Sequence, residues 1–361
     1  MAPISIPGRR EAIEDQRAAG GGLAAVFPVH NPRALLRSFG LLPVEVWGPP
    51  SARGDRAAAH LQAYTCSLVR CGLSFVLAGG LDRADCIVVP HACDSLQGLG
   101  SLLLDFVKPS PPVLPYYLPR GERDVDRAYL TAEIESLAER LARIAGRELD
   151  RAELHARLDR EEQADRAAAA LIDDRRRLGL SNRRLYELLR SREYLPAERF
   201  CALADSALEA RGEMEAAGVP VLLSGLVPEP ASVLDALDAA GACVVADDMA
   251  CAGRRIYRAC AFDDPLERQA ARLLSGPPDS TRDCSMGARV AHLCELAERS
   301  GARGVIFFDV KFCEPELFYL PRLQAGLREA GLACLACEVD LADALPDQIL
   351  TRLEAFVEML S

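Results

Sequence analysis

Lysine is almost absent from this 361-residue chain: only Lys108 and Lys311 stand among its 42 basic residues. That scarcity excludes a good deal. A P-loop needs Gly-x-x-x-x-Gly-Lys-Ser/Thr, and neither lysine has that context. Val107-Lys108-Pro109 and Val310-Lys311-Phe312 match neither a kinase lysine nor a pyridoxal-phosphate lysine. The chain also lacks any run of 18 apolar residues, so no transmembrane helix is expected. Met1 to Gln16 mixes Arg, Glu and Asp and has no signal-peptide core, which points to a cytoplasmic protein. No Gly-x-Ser-x-Gly elbow occurs. Gly98-Leu99-Gly100-Ser101 begins like a dinucleotide fingerprint, but Leu103 stands where the third glycine belongs and the stretch reads as helix. Positive charge is outweighed, leaving a net charge of −11, which disfavours a nucleic-acid partner.

What the chain does have is 13 cysteines. An odd, high count in a reducing compartment points to thiolate ligands or buried thiols rather than a disulfide framework. The length suggests two domains, with three as an alternative, and is ample for a large core.

Apolar strand runs alternate with helical stretches in both halves. Leu23 to Val29, Pro43 to Trp47, Ile87 to Val89 and Val113 to Leu118 read as strands. Between them, Asn31-Pro32 opens a helix that stops at Gly40, Asp55 to Ala78 reads as one helix, and Asp94 to Val107 as another. From Glu122 to about Gly218 no strand run appears. Leu130, Ile134, Leu137, Leu141 and Ile144 recur there at helical spacing. Alternation then returns, with strands at Val219 to Leu223, Ala242 to Ala246, Gly304 to Asp309 and Ala333 to Val339. Helices are expected at Ser232 to Ala240, Met286 to Arg299, Glu314 to Ala330 and from Pro346. The pattern predicts an α/β protein: two Rossmann-like lobes with parallel sheets, residues 1–120 and 219–361, joined by a helical segment, residues 121–218.

Ligands of open α/β sheets bind where strands end and helices begin. Cys93 follows the strand ending in Pro90 and precedes the cap Asp94-Ser95, and Cys313 follows the strand at Gly304 and precedes Glu314-Pro315. A helix N-terminus favours thiolate, so both are candidate ligands, with a buried packing thiol as the alternative at each. Their equivalent placement, one per lobe, favours the first reading. Cys66, in Tyr64-Thr65-Cys66-Ser67, is a possible third thiolate at a helix start. Cys71, Cys86, Cys201, Cys284 and Cys294 read as core. Cys334 and Cys337 form a C-x-x-C on a strand, where positions i and i+3 face opposite sides. Cys243, Cys251 and Cys260 bracket Asp247-Asp248 without a zinc spacing. Of the histidines, only His91 lies near a candidate cysteine, as a proton carrier or a structural residue.

These residues resemble a known family. Lys311-Phe312-Cys313-Glu314-Pro315-Glu316 after GVIFFD, Pro90-His91-Ala92-Cys93-Asp94-Ser95, Tyr64-Thr65-Cys66-Ser67 and the early VEVWG are similar to motifs of the 2-hydroxyacyl-CoA dehydratase and benzoyl-CoA reductase family, of the 2-hydroxyglutaryl-CoA dehydratase component D type. Asp247-Asp248 to Gly253-Arg254 also resembles it. The likeness runs from about residue 20 to the end. It implies that Cys66, Cys93 and Cys313 ligate one [4Fe–4S] cluster between two lobes, with one iron left open; a double-cubane cluster occurs in some members. It implies a radical elimination of water from a 2-hydroxyacyl-CoA, through a ketyl formed after one-electron reduction by a separate ATP-hydrolysing iron–sulfur activator. The alternatives it carries are an ATP-dependent reductase of benzoyl-CoA or double-cubane type and a non-catalytic electron-relay subunit. The implied partners are an acyl-CoA substrate, the activator, and a homologous second subunit or a second copy of the chain.

Overall fold

The computed structural model describes residues 4–49, 54–215, 217–282, 284–341 and 344–361. Met1–Pro3 of the N-terminal stretch and part of the Pro/Gly loop after Trp47 lie outside the described residues. Among the described residues no helix is long and apolar enough to cross a membrane.

The chain opens with α1 (Arg9–Ala18) and then builds a first sheet from β1 (Gly22–Val26), β2 (Leu41–Glu45), β3 (Cys86–His91) and β4 (Val113–Tyr117). The crossovers are α2 (Arg33–Ser38), α3 (Ser67–Leu77) and α4 (Asp94–Leu102), the last prolonged by a π-turn over Leu103–Val107. Four helices follow: α5 (Asp124–Ala145), α6 (Arg151–Asp173), α7 (Asn182–Arg190) and α8 (Ala197–Glu209). A second sheet comprises β5 (Val219–Gly225), β6 (Ala242–Met249), β7 (Gly304–Val310) and β8 (Ala333–Val339). Its helices are α9 (Ser232–Ala239), α10 (Pro265–Leu274), α11 (Met286–Ser300), α12 (Glu314–Glu329) and α13 (Asp347–Leu360).

Both sheets are wholly parallel and have the same strand order, β2-β1-β3-β4 and β6-β5-β7-β8. The expected two-lobed α/β architecture is therefore present. In each sheet the order reverses beside the first strand, so the switch points lie between β1 and β3 and between β5 and β7.

Strand alternation explains how the lobes join. Ala25, Phe27, Ile87 and Val89 face one way, and Ala24, Val26, Cys86 and Val88 the other. In the second sheet Val221, Leu223, Ile306 and Phe308 share one face, and Leu222, Val305 and Phe307 the opposite one. The first-named face of each sheet joins a single apolar cluster with residues of α3, α4, α9 and α13. The lobes thus share a core, and helices line the seam between them.

Three local expectations are corrected. Asp55 to Ala78 is not one helix: a 3₁₀ turn at Arg56–Ala59 is followed by irregular backbone, and α3 starts only at Ser67. The break leaves Cys66, with extended backbone (ψ 145°), as the residue that opens α3. The first strand leaves the sheet after Val26 rather than continuing to Val29. Helices α1 and α10 were not anticipated. The latter has a clear start signal in Asp264-Pro265, and the Asp264 carboxylate accepts the Leu266 N–H. Leu266, Ala270, Leu273 and Leu274 of α10 pack in the cluster that also holds α5 and the outer face of the first sheet.

Candidate metal centre

Cys93, Cys313 and Cys66 are each the N-cap of a helix: of α4, α12 and α3 respectively. N-caps are usually Ser, Thr, Asp or Asn, whose side-chain oxygen accepts an orphan backbone N–H. Here a cysteine stands in that place, and none of the three sulfurs makes a capping hydrogen bond. The free N–H groups of the first turn lie near enough to act on each thiol: those of Leu68 and Val69 on Cys66, of Ser95 and Leu96 on Cys93, and of Glu316 on Cys313. Two of these helices start at the carboxyl ends of β3 and β7, equivalent strands of the two sheets. Phe312 makes the second turn possible by adopting a left-handed conformation (φ +64°), a cost of about 1–2 kcal/mol for a residue with a Cβ.

The fold brings the three thiols together. They lie near enough that a thiolate at Cys93 would raise Cys66, and thiolates at Cys66 and Cys93 would raise Cys313. Cys66 and Cys313 are buried members of the core shared by the lobes, and half-buried Cys93 packs against it. The two halves are tied at this point: Leu341 N–H donates to Ser67 Oγ at 3.0 Å, and Arg70 pairs with Asp340 at 2.6 Å.

Burial governs their ionisation. It pushes the Cys66 thiol up to about 12, with Cys93 adding to the shift, and raises Cys93 and Cys313 as well. The expectation that a helix N-terminus lowers these thiols is therefore corrected: the N–H donors do lower them, but desolvation is the larger effect. Three thiols in an apolar seam hold their protons unless a cation replaces them, and soft thiolates are the ligands that iron–sulfur clusters take. The residues present therefore fit such a group. Among the described residues no three Cys, His, Asp or Glu side chains close on one metal ion. A cubane asks for something else, one thiolate per iron.

No disulfide joins the remaining cysteines. Cys334 and Cys337 lie in different apolar clusters on the two faces of β8. Cys243 and Cys251 likewise fall in different clusters, and Cys260 lines a surface cavity of about 880 Å³. That cavity carries Glu162, Asp263, Asp264 and Glu267 against Arg268, a poor match for a polyphosphate. None of the three N-cap cysteines lines it. His91 packs edge-on against Tyr117, with ring centroids 5.1 Å apart. Lys311 places its ammonium 5.2 Å from the centre of the Phe312 ring, so its charge serves a cation–π contact beside the turn.

Sequence reasoning missed a buried ionic network beside Cys313. Asp247 accepts the N–H groups of Met249 and Gly253 and shapes the turn after β6. A Cβ on Gly253 would sit 2.2 Å from the Asp247 carbonyl oxygen, so only glycine fits. The turn sends its two arginines to opposite lobes. Arg255 donates to Glu45 at the end of β2, 210 residues away. Arg254 donates to both Glu316 oxygens, at 2.6 and 2.9 Å, and pairs with Asp248 at 3.3 Å. Asp248 also receives Arg289, Ser224 and His292. Burial raises its carboxyl, but Arg254 and Arg289 outweigh burial and hold it well below the usual range. The only cue in the sequence was the DD…GRR stretch; nothing in composition marks which charges are buried.

A family model described as 2-hydroxyglutaryl-CoA dehydratase, D-component, matches residues 28–360. Lactoyl-CoA dehydratase subunit beta of Anaerotignum propionicum is 25% identical over 97% of this chain and 95% of its own length. The (R)-2-hydroxyglutaryl-CoA dehydratase subunit beta of Acidaminococcus fermentans is 25% identical over 95% of this chain and 94% of its own. A benzoyl-CoA reductase subunit from Thauera aromatica is 26% identical over 83% and 80% respectively.

Proposed function

The chain belongs to the 2-hydroxyglutaryl-CoA dehydratase D-component family, and from that premise we propose that it is the iron–sulfur subunit of a 2-hydroxyacyl-CoA dehydratase. The observation that carries the reading is the convergence of three N-cap cysteines, one from each of α3, α4 and α12, in the seam between the lobes.

Cys66, Cys93 and Cys313 would hold a [4Fe–4S] cluster. When bound, such a cluster supplies one-electron chemistry and, with three protein ligands, an iron with an open coordination position. The chain's own contribution is binding, orientation and exclusion of water. Helix N-termini aim partial positive charge and N–H donors at the cysteine sulfurs, which favours the thiolate form once a cation is present. The apolar seam keeps water from the ligands. The net reaction removes water from a 2-hydroxyacyl-CoA to give the enoyl-CoA, as a radical elimination begun by one electron from an ATP-hydrolysing iron–sulfur activator. The beta-subunit names of the relatives support a homologous alpha subunit as partner.

The likeness to the benzoyl-CoA reductase relative supports a second reading, an ATP-dependent reductase or its electron-relay subunit. Incubation with an activator, ATP, the proposed partner subunit and a panel of acyl-CoAs separates the two. Enoyl-CoA formed without net electron consumption supports the dehydratase. Stoichiometric electron use supports the reductase and overturns the first reading.

A further inference from the structure

Glu316 has two roles at the start of α12. It stands in the first turn of the helix that Cys313 caps, its backbone N–H near the Cys313 thiol, and its buried carboxylate is gripped by Arg254 in a two-point hydrogen bond at 2.6 and 2.9 Å. Ser280 Oγ donates to the same carboxylate. Arg254 has no exposed surface on its side chain, and it leans in turn on Asp248, which Arg289 holds from α11. The first turn of α12 is therefore fixed to β6 through the Arg254 guanidinium, and beyond it to α11 through that of Arg289. Burying so many charges is costly, and hydrophobic packing would hold a helix at least as well. A planar, two-point grip offers orientation instead. It also neutralises a carboxylate that would otherwise stand unpaired beside a ligand site that becomes negative on deprotonation.

We propose that Arg254 is a positioning residue for the metal centre, fixing Cys313 through Glu316; this rests on the reading of Cys66, Cys93 and Cys313 as cluster ligands. Arg254 makes no hydrogen bond to the sulfur; its partners are Glu316, Asp248, Ser224 and Asp279. It sets where the third sulfur stands. Lysine at this position keeps the charge but not the fork.

The test uses the full chain, anaerobically prepared, as wild type, Arg254→Lys, Glu316→Gln and Asp165→Asn. Asp165 pairs with Arg192 and Arg272 and is equally buried, but it lies on α6 in the helical segment. Its variant therefore reports the loss of a buried ion pair elsewhere. Two quantities are read: the rate of iron loss to a ferrous chelator, and the mass-mapped alkylation of each cysteine in metal-free protein. Arg254→Lys is expected to lose iron roughly ten-fold faster than wild type, with Glu316→Gln in the same direction. Cys313 is expected to alkylate faster in both, while Cys66 and Cys93 keep their wild-type rates. Asp165→Asn should keep wild-type iron loss even where it melts earlier. Equal acceleration in Asp165→Asn, or an unchanged Cys313 alkylation rate in both Arg254→Lys and Glu316→Gln, overturns the proposal. Selective alkylation of Cys313 in a protein whose wild type binds no iron overturns the cluster reading while leaving the positioning of Cys313 intact.

Discussion

The backbone N–H of Leu341 donates to the hydroxyl of Ser67, 274 residues earlier in the chain, over 3.0 Å. Ser67 is fully buried and follows Cys66 directly, so the loop after the last strand of the second lobe is fastened to the first turn of α3. This bond holds one candidate ligand of the first lobe against the lobe that supplies Cys313. Ser67→Ala would leave a buried N–H without an acceptor, at a cost of about 1–3 kcal/mol. A fall in the urea midpoint with an unchanged slope is the expected outcome. An unchanged midpoint would show that the Leu341 N–H finds another partner.

Glu45 is the second fastening. It accepts from Arg33 of α2 at 3.1 Å, from Arg255 of the second lobe at 2.8 Å and from Trp47 Nε1 at 2.8 Å, all in the buried interior. Glu45→Gln removes the countercharge of two buried guanidinium groups, and breaking such a group costs about 3–5 kcal/mol. Equilibrium unfolding should show a loss of that size. A loss below about 1 kcal/mol would mean that Glu161, which also faces Arg33, compensates.

Much of this molecule was legible in its sequence, for a definite reason. Strand, cysteine and helix cap follow one another at Cys93 and Cys313 in a pattern that only a strand-to-helix turn satisfies, and the parallel sheets place both at equivalent ends. Cys66 was harder, because apolar residues on both sides of it hid the break in Asp55 to Ala78; the helix begins where Cys66 itself caps it. Ionisation was misjudged, since a helix terminus is visible in a sequence and burial is not. The network of Glu45, Asp248, Arg254 and Glu316 was illegible for the same reason: in a chain with 42 basic and 53 acidic residues, nothing local distinguishes the buried pairs from the solvated ones.

Asp309, at the end of β7, gives a pH dependence. Burial, then the neighbouring carboxylate of Glu316, push its carboxyl up to about 8; Arg254 and Arg289 act the other way and Glu338 of β8 adds to the rise. Its Oδ2 has no hydrogen-bond partner. The folded state therefore binds a proton that the unfolded chain releases near pH 4, and stability falls as pH rises toward and through 8. Between pH 6 and pH 8.5, wild type should lose more stability than Asp309→Asn. Equal losses would show that Asp309 is already ionised at pH 6.

The thiols give another. In metal-free protein, Cys66 stands near 12 because of burial, with Cys93 and Cys313 also raised. At pH 8 all three should alkylate slowly, and more slowly still than half-exposed Cys260 on the surface cavity. Rapid labelling of Cys66 or Cys313 at that pH would mean that the seam opens once metal is removed.

The central claim is that these three sulfurs hold one cluster, and iron and sulfide analysis of anaerobically purified protein tests it directly. About four irons and four sulfides per chain are expected, falling to a small fraction in Cys313→Ser, Cys93→Ser and Cys66→Ser while the fold persists by circular dichroism. About eight would indicate a double cubane. No iron in the wild type, or full iron in all three variants, would contradict the account.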